Sequence, residues 1–102
     1  MDKSILLRTE LAEPEIDKEI QELIKEAINP TKSIVVYNDD YNTFDHVAKC
    51  LMIYCEHSQE QAEQCTMIIH YKGKYAVKSG SYEKLEPMCT GLLDNGISAE
   101  IQ

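Results

Sequence analysis

The stretch Ser33-Ile34-Val35-Val36-Tyr37-Asn38-Asp39-Asp40-Tyr41-Asn42-Thr43-Phe44 decides the fold. Its first five residues are mostly β-branched or aromatic, which suits a pleated, half-buried strand, and the polar cluster Asn38-Asp39-Asp40 ends it. Asn42 or Thr43 then supplies a side-chain oxygen able to cap a helix. In that helix Phe44, Val47, Ala48, Leu51 and Cys55 form one apolar stripe.

Downstream, Ser58-Gln59-Glu60-Gln61 has the spacing of a capping box and opens a second helix. Its inner face is Ala62, Cys65, Thr66 and Ile69, and it ends near Gly73. Lys74 to Lys78 alternates weakly between Gly73 and Gly80 and reads as a second strand. Ser81 caps a third helix with the stripe Leu85, Met88, Cys89, Leu92 and Leu93. Pro87 and Gly91 sit inside that stripe, which is unfavourable unless the first turn is irregular or the helix kinked. Asn95-Gly96 terminates it, and Ile97 to Ile101 alternates as a third strand. The order β-α-α-β-α-β predicts an α+β domain over residues 33–102, with three helices packed on a small three-stranded antiparallel sheet.

Upstream, residues 1–32 hold eight acids and five bases and form an acidic, flexible N-terminal extension. Residues 1–14 read as a mobile tail. Over 15–28, Ile16, Ile20, Leu23, Ile24 and Ala27 recur at helical spacing, and Asn29 and Pro30 stop the pattern.

With 102 residues there is room for one domain with one modest core. Hydrophobic content of 43% with no long apolar run predicts a soluble protein, and the N-terminus does not read as a secretion signal, so a cytoplasmic location is expected. The net charge of −8 opposes nucleic-acid binding, which draws its affinity from clustered Lys and Arg. It favours cationic partners, a protonated amino terminus included. Cys50, Cys55, Cys65 and Cys89 each fall among apolar residues, and buried reduced thiols are expected.

Lys78-Ser79 follows Val77 rather than glycine, so no phosphate loop forms. A calcium loop starting at Asp40 would need glycine at Asp45 and glutamate at Leu51; a solvated, helix-capping acidic turn is the better reading. Zinc fails on geometry, because residues five apart on a helix diverge by about 140°. That separates Cys50 from Cys55 and Cys65 from His70, and it weakens a Cys65/His70 nucleophile pair as well. No cofactor and no metal are expected. His46 and His57 are expected on the first helix, facing solvent. His70, at the end of an apolar helix, reads on its own as a partly buried structural residue more readily than a functional one.

The joint pattern changes that balance. Val35-Val36-Tyr37-Asn38-Asp39-Asp40-Tyr41-Asn42-Thr43-Phe44, with His70-Tyr71-Lys72-Gly73-Lys74 at the end of the second helix, resembles the ClpS family, adaptors of the ClpAP and ClpCP proteases. The resemblance spans roughly residues 33–102, in register. It implies a non-catalytic, cytoplasmic adaptor, monomeric when free, whose partners are N-degron proteins and a Clp AAA+ unfoldase of the ClpA or ClpC type. It implies that Asn38 and His70 hold the α-amino group of a bound protein, with Asp39 supporting it electrostatically and through water. Donor-only ammonium needs such converging acceptors. The first side chain would enter a pocket walled by Phe44, Val47, Thr66 and Ile97, with Asp40 and Asn42 near the rim. Leu, Phe, Tyr or Trp would suit it. Glu83 matches a family contact to the unfoldase, and the leader would assist delivery.

The chain departs from the family pattern at four places: Thr43 stands for a proline, Phe44 and Thr66 for methionines, and Met88 for a lysine used toward the protease. Two other classes compete. One is an interaction module with a vestigial pocket, similar in build to the L7/L12 ribosomal-stalk carboxy-terminal domain; fold alone does not give function. The other is a small hydrolase using Asp39 or Asp40 with His70, which lacks an evident nucleophile or oxyanion motif.

Overall fold

The computed structural model describes residues 17–28 and 31–102. The elements run α1 (Lys18–Ile28), β1 (Lys32–Tyr37), α2 (Phe44–Tyr54), α3 (Gln59–Lys72), β2 (Lys74–Gly80), α4 (Tyr82–Asp94) and β3 (Ala99–Ile101). The expected β-α-α-β-α-β order is present, preceded by one more helix. The strands form one antiparallel sheet in the order β2-β1-β3. β1 is therefore central, and its ladder with β2 shifts register between Ile34 and Val35.

Each core helix starts where a hydroxyl can accept a backbone N–H. Thr43 accepts from His46 N, Ser58 from Gln61 N, and Ser81 from Lys84 N. α3 stops at Gly73, whose φ of +90° is the left-handed conformation that side chains disfavour. Pro87 lies inside α4, where it withholds the amide that would bond the Glu83 carbonyl; both residues are exposed, so water can satisfy that group. β2 is longer than the sequence pattern indicates and β3 shorter. Ile97 belongs to the turn instead, its N–H donating to Leu92 O at 3.0 Å.

The core lies between the sheet and α2, α3 and α4. Ile34 and Val36 of β1 meet Leu51, Leu85 and Leu92, all buried. The four cysteines are free and buried, and burial raises every thiol pKa, that of Cys55 to about 11. In α1, by contrast, Ile20, Leu23 and Ile24 are exposed. The Asp17 carboxylate caps this helix through Ile20 N at 2.9 Å. The mobile tail expected over residues 1–14 lies outside the described residues, as does Ile16.

Two histidines differ from expectation. His57 lies beyond the end of α2, 5% exposed, and its Nε2 donates to Val77 O at 2.8 Å. His46 is half-buried, and its Nε2 donates to Asn95 O at 3.0 Å. Backbone carbonyls brought near by the tertiary fold, one in a turn and one in β2, hold both rings, and a helical wheel cannot show them. His57 Nδ1 is buried without a partner, and desolvation lowers the imidazole pKa. The fold therefore favours neutral His57, and the unfolded chain takes up the proton first. This contribution to stability is complete above about pH 6.5 and is lost as pH falls toward the folded value. Melting curves between pH 7.5 and 5 are expected to show a smaller acid-side loss for His57→Gln than for the wild type. Equal losses would refute this account.

Candidate functional site

The end of β1 is fastened to the end of α3. Asn38 N donates to Gly73 O at 2.8 Å, while Gly73 N donates to Ile69 O at 2.8 Å. The turn after β1 thus meets the helical turn that carries His70. Asp39 then shapes the turn from within: Oδ1 accepts from Tyr41 N (3.0 Å) and Asn42 N (2.8 Å), and Oδ2 from Asn42 Nδ2 (2.9 Å). The same Asn42 amide donates to Gly96 O at 2.9 Å, tying the turn to the α4–β3 connection beside Ile97. Thr43 caps α2, its Oγ1 accepting from His46 N at 3.1 Å.

These ties enclose a cavity of about 350 Å³. Asn38, Asp39, Asp40, Asn42 and His70 give it polar lining. Phe44 and Val47 of α2, Thr66 of α3, and Ile97 supply apolar or small walls. All nine residues assigned to the pocket from sequence therefore line one cavity. Tyr37, Thr43 and Ile69 line it too and escaped the sequence reading. Ile69 had a signal, since it falls three residues after Thr66 on the same helical face. Glu83 is exposed in the first turn of α4 and is not a lining residue. Met88 is partly buried against the core, so it contributes to packing.

The electrostatics suit a cation. Hydrogen bonds from the Asn42 backbone, and secondarily from its amide and from Tyr41 N, hold the Asp39 carboxyl below its ordinary pKa despite opposing desolvation. Asp39 stays anionic at neutral pH, which suits holding a positive charge and not general acid–base chemistry near pH 7. His70 is exposed, its ring edge-on to Tyr71 at 5.8 Å. Thr66 Oγ1 donates to Ala62 O at 2.7 Å, so its hydroxyl hydrogen is occupied within α3. Among the described residues no three His, Cys, Asp or Glu side chains converge as metal ligands, and no helix is long and apolar enough to cross a membrane.

A family model described as ATP-dependent Clp protease adaptor protein ClpS matches residues 28–99. The chain is 39% identical over 70 residues to the ATP-dependent Clp protease adapter protein ClpS of Thermosynechococcus vestitus, covering 68% of this chain and 74% of that one. It is 26% identical over 98 residues to the ClpS of Corynebacterium aurimucosum, covering 96% and 88% respectively. The structure of Agrobacterium tumefaciens ClpS2 bound to L-phenylalaninamide is similar at a TM-score of 0.67 and 18% identity, over 71% of this chain and 94% of that one. That last similarity is one of fold.

Proposed function

We propose that this chain, which belongs to the ClpS family of ATP-dependent Clp protease adaptors, binds proteins through a free, large hydrophobic first residue and hands them to a Clp AAA+ unfoldase. Family membership makes it an adaptor and not an enzyme. The observation that carries the finer reading is the single cavity where Asn38, Asp39 and His70 meet the walls formed by Phe44, Val47, Thr66 and Ile97. An α-ammonium group offers donors and a positive charge. The cavity offers an amide oxygen, an anionic carboxylate and an imidazole nitrogen. Burial of the first side chain adds roughly 1.5–3 kcal/mol. The ligand of the Agrobacterium protein, L-phenylalaninamide, combines a free amine with an aromatic side chain, and that pairing fits the cavity described. The unfoldase would be of the ClpA or ClpC type, met in the cytoplasm, with Glu83 on its contact surface and residues 1–32 assisting delivery.

Calorimetry with Leu-start and Phe-start peptides tests this. Free-amine peptides are expected to bind and their N-acetylated counterparts to fail, because acetylation removes the charge and donors. His70→Ala and Asn38→Ala are each expected to weaken binding by more than about 1 kcal/mol with unchanged circular dichroism. Equal binding of the acetylated peptide, or no binding of either, would refute the proposal.

A further inference from the structure

A second groove, of about 650 Å³, lies along α3 and is lined by Phe44, Glu60, Glu63, Gln64, Met67 and Ile68. The five α3 residues fall at i, i+3, i+4, i+7 and i+8, which makes one helical stripe. That stripe is distinct from the inner face of Ala62, Cys65, Thr66 and Ile69, which packs into the core or the first cavity. The groove's composition is unusual for a solvated surface. Met67 is 47% exposed and Phe44 39%, beside two carboxylates.

Phe44 lines both this groove and the first cavity, so the two recesses adjoin at one aromatic residue. We propose that this groove takes the side chain of the third residue of the bound protein and prefers a long-stemmed cation there, Lys or Arg. The inference rests on the reading of the first cavity as the seat of residue one. In an extended chain, side chains two apart point the same way and stand about 7 Å apart. Carbon contacts of about 3.5–4 Å on each face of a ring span the same distance. The first and third side chains therefore straddle Phe44, and the second points away.

The lining selects the chemistry. An apolar floor of Phe44, Met67 and Ile68 accepts an aliphatic stem, and Met adapts to its shape. Glu60 and Glu63 then meet the charged head. Among the described residues Glu63 is engaged by Gln59 Nε2 at 3.3 Å, which leaves its other lone pairs available. A guanidinium can also sit over the Phe44 ring. An acidic third residue would face two like charges in a protein of net charge −8.

Fluorescence anisotropy with a set of labelled free-amine peptides tests the groove. The set begins Leu-Ala-Lys, Leu-Ala-Ala, Leu-Ala-Glu and Leu-Lys-Ala on a common tail. Third-position Lys is expected to bind more tightly than Ala, and Ala more tightly than Glu, by about two- to fivefold per step. Lys at the second position should match Ala. Added salt and the double variant Glu60→Gln/Glu63→Gln should bring the Lys-to-Glu ratio toward one. Equal affinities for all third residues, a preference carried by the second position, or a ratio that survives in the double variant would each overturn the groove assignment. In those cases Leu-Ala-Ala still binds and the amine site stands. Failure of every peptide to bind would overturn both.

Discussion

Gly91→Ala is expected to destabilise the domain by about 2 kcal/mol, although alanine is the better helix former by about 1 kcal/mol. Gly91 lies inside α4, and a Cβ built there would fall inside contact distance of Tyr54 Cδ1 and 2.8 Å from Tyr54 Cγ. The Cγ contact matters most. It lies at the root of the ring, so a rotation of the ring about its own axis gives no relief. Tyr54 ends α2 and is partly buried against the core, which restricts its retreat. Relief requires a new rotamer or a wider separation of α2 from α4. In a domain of this size the loss corresponds to a drop in Tm of about 8–16 °C. In a Tyr54→Ala background the ring is gone, and Gly91→Ala should become neutral or stabilising. A wild-type background in which Gly91→Ala raises the melting temperature would end this explanation.

On the proposed amine site, Asp39→Ala is expected to weaken binding of a Leu-start peptide by about a hundredfold. Asp39→Asn should weaken it by about tenfold. Asp39 does two jobs. Its Oδ1 gathers the Tyr41 and Asn42 amides, which sets the turn, and its charge lies in the cavity lining where the proposal seats the amine. Asparagine keeps one carbonyl oxygen for the two backbone amides. It loses the charge and sets its own NH₂ against Asn42 Nδ2, which now donates to Oδ2. Alanine loses the turn bonds as well, and with them the Asn42 position that reaches Gly96 O. Calorimetry of the two variants beside the wild type separates these contributions. Wild-type affinity in Asp39→Ala would remove this residue from the site.

Most of the fold was legible because it rests on local signals. Thr43, Ser58 and Ser81 announce helix starts, Gly73 announces a stop, and Ile34 to Tyr37 can hardly be anything but a strand. The candidate site was legible for another reason: the Asn38-Asp39-Asp40 turn and His70 belong to a pattern that resembles a known family. Without it, His70 was ambiguous. His46 and His57 went astray because their partners, the carbonyls of Asn95 and Val77, come from distant parts of the chain. Met88 likewise shows its packing against the core only in the tertiary structure.

The sequence by itself determined the α+β order, the capped helices, the buried thiols and the acidic turn after β1. Propensity, capping and hydrophobic period act over a few neighbouring residues and are written there in full. Tertiary structure alone decided that Asn38 N reaches Gly73 O, so that the turn and His70 share one cavity. It alone decided that Gly91 faces the Tyr54 ring, and that Phe44 lines two recesses. These are contacts between segments far apart in the chain. Their geometry depends on how α2, α3 and α4 pack on the sheet, which no local window of residues contains.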